Sequence, residues 1–316
     1  MLDTPILFIV FNRIDTAQKV FERIRQARPK KLYIACDGPR NGYIYDNINI
    51  CKTRDLTKQV DWPCEVFTNF LDHNEGPRNA VFRFIKWFFE HEEQGIILEH
   101  DCLPHPDFFV YCETLLNRYK DDPRIGTISG NSIFSHPKQS NSYIYSIYSL
   151  MWGWATWRRV IDQYTLDVNA INRKEFQTTA RQFALTPIEK HHAYFIFKRA
   201  KRGKIKTWDY SLGFCLWKNR MLSISPDRNL VTNIGFDRYA ANTTNLKSPS
   251  ANRPVYPILP LQFNDNIVPD RQDDYKYFRT FIVENEPAAY VYFKILLKKI
   301  GLFALLQKIK KRFLKS

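Results

Sequence analysis

The first 130 residues constrain this chain most, because short apolar runs there alternate with longer stretches of helical spacing. Residues 6–11 are an unbroken apolar run, and residues 15–27 then place Ala17, Val20, Phe21 and Ile24 three and four apart. A second short run, 32–36, is closed by Asp37-Gly38-Pro39, which is turn chemistry. Residues 66–70 read as a third strand. A helix at 79–90 follows, with Val81, Phe82, Ile85, Phe88 and Phe89 on its inner side. Residues 95–98 and 125–129 read as two more strands, and between them a helix at 106–119 opens on Pro106 with Asp107 in its first turn. Such alternation predicts an α/β sandwich with a mainly parallel sheet. At 316 residues the chain fits one large unit of that kind. Ligands of such sheets gather beyond the carboxyl ends of the strands. Asp37, Glu99 and Asp101 all follow directly on apolar strands and so belong to that edge.

The sharpest local feature is IILEHDCLPHPDFF, residues 96–109, where a buried run stops at two acids flanking one histidine. A single carboxylate at a strand end is ordinarily a solvated turn residue. Two of them around one position also suit a hard divalent cation, Mn²⁺ or Mg²⁺, which takes one or two protein carboxylates plus the phosphates of a nucleotide. Capping and cation binding both stay open on these residues alone. Zinc is a poorer fit. His100, Cys102 and His105 are close together, but the nearest second cluster, His191 and His192, lacks ligand spacing.

Read in order, EHDCLPHPDFFVYCETL, KDDP and IGTISGNS resemble the core of nucleotide-sugar glycosyltransferases of the GT-A fold, in particular the N-acetylglucosaminyltransferase I type. In that group an acidic triplet, EDD, precedes a short loop and PDFF. Upstream, FTNFLDHNEGPRNAVFRFIKWFFE lies where the group has a helix before that strand. Downstream, MWGWATWRR, TWDYSLGFCLW and SPDRNLVTNIGF are similar to the acceptor half of bacterial relatives. The likeness runs from about residue 4 to residue 245. It implies a GT-A (Rossmann-like) α/β/α catalytic domain over 1–245, with a nucleotide-sugar half at 1–135 and an acceptor half at 136–245.

The resemblance also implies roles. Asp101, last in the triplet, would coordinate the metal that bridges the donor diphosphate, and Glu99 would lie near the donor sugar. His100 stands where the family generally has an aspartate contacting the ribose. Asp37 would meet the base, and Phe11, Asn12 and Arg13 would line the same nucleotide pocket. Arg78 or Arg40 could neutralise phosphate, although either alone reads equally as a surface charge. In Lys206-Thr207-Trp208-Asp209-Tyr210 an acid is bracketed by aromatics. Asp209 matches the general base of inverting enzymes, and its alternative role is to cap a helix at 210–218. Trp152, Trp154 and Trp157, with Trp208 beside the base, are candidates for a sugar-stacking floor or for plain packing. Some GT-A enzymes bring a late histidine to the metal, but NIGFDRYAANTTN contains none.

Composition bears on partners and location. Six cysteines occur singly with no CxxC pair, as suits a reducing cytosol, and the run at 6–11 is too short for a signal-peptide core. The net charge of +15 first suggests nucleic acid. Its distribution suggests otherwise, because residues 288–316 contain eight basic residues and no acid, more than half of the excess. That segment alternates apolar and basic clusters as a basic amphipathic helix would. It is expected on the anionic inner face of a plasma membrane, or else packed on the domain with its lysines in water. Residues 246–287, rich in Pro and polar residues, read as a wrapping linker. Three classes of function result: an inverting, metal-assisted glycosyltransferase using a nucleotide-diphosphate sugar (a UDP-sugar) and a glycan or lipid-linked acceptor in bacterial surface polysaccharide synthesis; a nucleic-acid-binding protein; and a catalytically silent, membrane-associated relative.

Overall fold

The apolar run at the start of the chain becomes β1 (Ile6–Val10), buried at all five positions. A strand with no polar face has to be covered on both sides, which places it in the middle of a helix-flanked sheet. The computed structural model describes residues 1–134, 141–168, 172–183, 185–236, 250–284, 286–300 and 302. After β1 come α1 (Ile14–Ala27), β2 (Lys31–Cys36), α2 (Asp46–Arg54), β3 (Glu65–Phe70), α3 (Gly76–His91), β4 (Gln94–Glu99), β5 (Cys102–Pro104), α4 (Asp107–Arg118) and β6 (Ile125–Ser129). The second half adds β7 (Tyr143–Ser146), β8 (Trp154–Trp157), α5 (Arg158–Ile161), α6 (Arg173–Gln182), α7 (Pro187–Lys201), α8 (Asp209–Lys218), β9 (Leu222–Pro226), β10 (Val231–Asn233), α9 (Arg271–Tyr277) and α10 (Ala288–Lys299).

Eight strands form one sheet in the order β3-β2-β1-β4-β8-β6-β9-β7, and β5 and β10 make a separate two-stranded ribbon. The block β3-β2-β1-β4 is parallel, with Ile6 opposite Leu32 on one side and Ile96 on the other. Strand β8 runs antiparallel between β4 and β6, β9 is parallel to β6, and β7 closes the edge antiparallel. The fold is therefore mixed α/β and Rossmann-like, with a large, mostly parallel central sheet. The predicted strands and helices of the first 130 residues fall within a few residues of the observed ones. Helix α2 was not foreseen because no apolar stripe marks it: two of its three buried residues, Asp46 and Thr53, are polar.

The stretch expected as a linker contains both a wrap and a helix. Asp107 at the start of α4 accepts hydrogen bonds from the N–H groups of Ile258 (2.8 Å) and Leu259 (3.3 Å). The Gln262 N–H donates to Ser142 Oγ at 2.7 Å, and the Tyr256 N–H to the Asn229 carbonyl at 2.9 Å. Next comes α9, whose Arg271 is sandwiched between two buried acids. It donates to both carboxylate oxygens of Glu189 at 2.9 Å and to Asp274 at 3.2 Å. Glu189 also closes the capping box of α7 with Thr186 and accepts from the Tyr148 hydroxyl at 2.8 Å. This knot ties α9, α7 and the chain after β7 into one unit. Removing the guanidinium leaves two buried acids without their cation, a loss of about 3 kcal/mol or more. Arg271→Ala should therefore lower the urea midpoint sharply, and Arg271→Lys should recover part of the loss. A midpoint unchanged in the alanine variant would show that the knot contributes nothing.

Candidate active site

Strand β4 brings Glu99 level with Ile9 of β1, and the His100 N–H still bonds to the Ile9 carbonyl at 2.9 Å. Beyond that point the chain leaves the sheet. The Asp101 carbonyl accepts from the Ile234 N–H at 2.8 Å, and β5 then pairs with β10, Cys102 opposite Asn233. The triplet 99–101 thus sits where the large sheet passes the chain to the ribbon, on the carboxyl edge of the parallel strands. The 233–235 turn lies directly on it. Asn233 Oδ1 accepts from the Gly235 N–H at 2.8 Å, and Arg13 Nη1 donates to the Gly235 carbonyl at 3.1 Å. A Cβ at Gly235 would stand 2.3 Å from Asp101 Oδ2, so this position has to be glycine for the carboxylate to keep its place.

A third acid joins from the other half of the molecule. Asp209 is the first residue of α8, and the preceding Trp208 is held by its carbonyl, which accepts from the Tyr164 hydroxyl at 2.9 Å. The Trp208 ring stacks on Trp154 with centroids 5.6 Å apart. Asp209 Oδ1 is buried and without a hydrogen-bond partner, while Thr207 and the N–H groups of Tyr210 and of Asp209 itself stabilise the charged carboxylate. Burial raises the Asp209 pKa above the ordinary aspartate value. Glu99 is pushed up to about 8, by burial first and then by the charges of Asp101 and Asp209. Glu99 thus feels the charges of both Asp101 and Asp209, and a desolvated acid beside like charge favours its protonated form. Tyr277 of α9 faces the same region: its hydroxyl is raised by burial and feels Arg253, Tyr210 and Asp209.

The other residues singled out in the sequence are placed as follows. Phe11 and Asn12 lie at the end of β1, but Asn12 Nδ2 donates to Asp46 at 2.7 Å, and Arg40 makes a two-pronged ion pair with the same carboxylate at 2.7 and 2.8 Å. Arg40 holds the Asp46 carboxyl down to about 2 and lies over the rings of Phe11 and Tyr43. Arg78 donates to the Leu166 carbonyl at 2.9 Å and bears electrostatically on Tyr164, which also feels Asp209. His100 is half-buried, and desolvation lowers its pKa.

Two expectations need correction. Asp37 is not available to a base: its Oδ1 accepts the N–H groups of Gly38 (2.8 Å) and Glu75 (2.9 Å), and its Oδ2 accepts Asn74 Nδ2 (2.9 Å) and the Gly76 N–H (3.0 Å). Its carboxylate instead anchors the turn that starts α3. Trp154 is wholly buried and Trp208 nearly so, and with Trp157 they belong to the main core, so none of these rings offers a face to a sugar. Trp152 is half-buried and stands edge-on to Phe236 at 5.7 Å. The zinc reading also falls away. His105 Nδ1 accepts the Asp107 N–H at 3.2 Å, and among the described residues no three or more His, Cys, Asp or Glu are grouped to hold a metal on their own. The stretch searched for a late histidine, 233–245, lies outside the described residues from 237 onward. Sequence reasoning missed Asp46, Tyr164, Gly235, Arg253 and Tyr277. Nothing local marks them, since each acquires its place through contacts more than 30 residues away or through an unremarkable turn.

No family model matches the chain, and no curated protein matches it in sequence. Solved structures share part of its fold. Apo-UDP-glucose pyrophosphorylase is 10% identical, covering 74% of this chain and 93% of that one with a TM-score of 0.40. UDP-glucose pyrophosphorylase complexed with UDP-glucose is 10% identical over 53% of this chain and 82% of that one, TM-score 0.34. HddC from Yersinia pseudotuberculosis is 10% identical over 51% and 80%, TM-score 0.31. These likenesses concern the α/β architecture alone.

Gly235→Ala should leave the protein folded, with a melting temperature lowered by no more than several degrees, because the crowding is confined to one buried turn. It should weaken manganese-dependent nucleotide binding, measured by calorimetry, by about tenfold or more, since the intruding methyl displaces Asp101. Unchanged binding would separate the 233–235 turn from the site.

Proposed function

We propose that the protein is a GT-A-type glycosyltransferase that moves a sugar from a nucleoside-diphosphate donor, in the first instance a UDP-sugar, to an acceptor hydroxyl with inversion. The observation that carries this reading is the meeting of Glu99 and Asp101 from the sheet edge with Asp209, whose Oδ1 is buried and unpartnered. One acid pair faces the place where a diphosphate would sit, and the other acid is free to take a proton.

Asp101, with Glu99 beside it, would hold Mn²⁺ or Mg²⁺. A hard cation on a diphosphate needs only one or two protein carboxylates, so the lack of a larger ligand group fits. When bound, that ion supplies charge stabilisation to the leaving diphosphate. The chain's own residues do the remaining work. The acceptor oxygen attacks the anomeric carbon while the bond from that carbon to the phosphate oxygen breaks. The hydroxyl proton passes to Asp209, and the nucleoside diphosphate departs. Arg13, above the triplet, and Arg78, beside Tyr164, are cations within range of the departing phosphates. Desolvation and the neighbouring acids raise the Glu99 pKa, so a bound cation would favour its ionised form. The acceptor is a glycan or a lipid-linked glycan, as expected of bacterial surface polysaccharide synthesis.

A panel of nucleotide-sugars screened by thermal shift with and without Mn²⁺ should contain one donor that raises the melting temperature. With that donor, Asp209→Asn should cut kcat by roughly 10²–10⁴-fold and leave donor affinity unchanged. Wild type should release nucleoside diphosphate and not pyrophosphate. If wild type and Asp209→Asn were equally inert with every donor, the chain would be a silent relative.

The pH dependence carries its own sign. Only ionised Asp209 accepts a proton, and burial raises its pKa, so a larger fraction is protonated at any mildly acidic pH than for an ordinary aspartate near 4. The acid limb of kcat/KM should therefore fall at a midpoint above about 4. A limb at or below the ordinary aspartate range would remove Asp209 from the role of base.

A further inference from the structure

Helix α10 is apolar on two sides. Val291 and Ile295 are buried and pack with Ile188 and Phe195 of α7 and with Phe278 after α9, which fixes the helix to the body. On the opposite side Tyr290, Phe293, Leu296 and Ile300 follow at three- and four-residue steps, 46%, 50%, 52% and 57% exposed. A lone exposed leucine needs no account, but a continuous row of four large apolar residues along one helix marks an interaction surface.

The α7 end beside this helix is basic, and its Arg199 lies over Phe195, which packs against α10. Residues 198–206, running from the end of α7 into the next loop, read KRAKRGKIK, with six cations and no acid. Helices α7 and α10 are in contact, and Lys298 of α10 is close enough to Arg199 to feel its charge. The described acid that answers α10 is Glu286, paired with Lys294. Beyond the helix the sequence adds five more basic residues from 308 onward, outside the described residues.

We propose that this α7–α10 face docks on the headgroups of an anionic phospholipid bilayer, the apolar row entering the headgroup boundary and the flanking lysines and arginines meeting phosphate. Charge complementarity selects this occupant. A second copy of the chain, brought face to face about a two-fold axis, would press cation-rich flanks against each other. Nucleic acid favours a cationic groove, whereas here the centre of the face is aliphatic and aromatic. An amphipathic helix with basic flanks suits a bilayer surface, where apolar burial and electrostatic attraction add. Docking is independent of the glycosyl-transfer reading, and its test does not use activity.

The test is sedimentation of the full chain with vesicles of mixed phosphatidylglycerol and phosphatidylcholine, against pure phosphatidylcholine. Wild type should pellet with the anionic vesicles and not with the neutral ones. A Phe293→Ser, Leu296→Ser double variant, which leaves the packed side of α10 intact, should retain its melting temperature and lose about tenfold or more in vesicle affinity. Lys204→Glu with Lys206→Glu should weaken binding and reduce its salt sensitivity. The proposal is overturned if wild type stays in the supernatant with anionic vesicles, or if both variants pellet as wild type does. It is equally overturned if the apolar variant merely turns a dimer into a monomer, or if RNA is retained and vesicles are not.

Discussion

Where β4 runs out, Glu99 is desolvated and feels the charges of both Asp101 and Asp209. Like charges in a poorly solvated place cost free energy, and a protein lessens that cost by protonating a group or by admitting a cation. The first response shows here: Glu99 is driven up to about 8. Most of the surrounding architecture serves to keep this unfavourable arrangement in place. The parallel register of β1 and β4 sets Glu99, the β5–β10 ribbon turns Asp101 back over the edge, and the stacked pair Trp154 and Trp208 carries Asp209 in from the second half.

Several groups that a sequence reader would assign to ligand turn out to hold loops. Asp37 gathers four N–H donors around its carboxylate and so fixes the turn from which α3, and with it Arg78, begins. Asn12, Asp46 and Arg40 lock the segment beside Phe11 in the same way. Arg13 and Arg78 likewise donate to backbone carbonyls, of Gly235 and Leu166. Tyr210 of α8 and Tyr277 of α9 lie near Asp209, and α9 is in turn tied to α7 through Arg271.

Most strands and helices of the first 130 residues were legible because β1, β2 and β4 are apolar runs and α1, α3 and α4 each carry one apolar stripe. Beyond them the signal weakens. Strand β8 is WATW and β7 is YIYS, too short and too aromatic to be told from simple packing, and their order in the sheet is not sequential. The triplet 99–101 was legible because acids after Ile-Ile-Leu break a pattern. Asp209 was legible only through its aromatic brackets and a family likeness. Gly235, by contrast, matters through a 2.3 Å approach to a residue 134 positions earlier, which no local pattern encodes. The tryptophans misled for the converse reason. Aromatic residues in a half-polar stretch suggest a platform, but Trp154 is consumed by the core.

The most direct test of the central claim is a manganese titration followed by electron paramagnetic resonance, in the presence and absence of uridine diphosphate. The account predicts that the free-ion signal falls when nucleotide and wild-type protein are both present, and that Asp101→Asn restores it. A signal that stays at its free-ion level with wild type, or that is quenched equally by Asp101→Asn, would contradict the claim that this carboxylate edge grips a cation against a diphosphate.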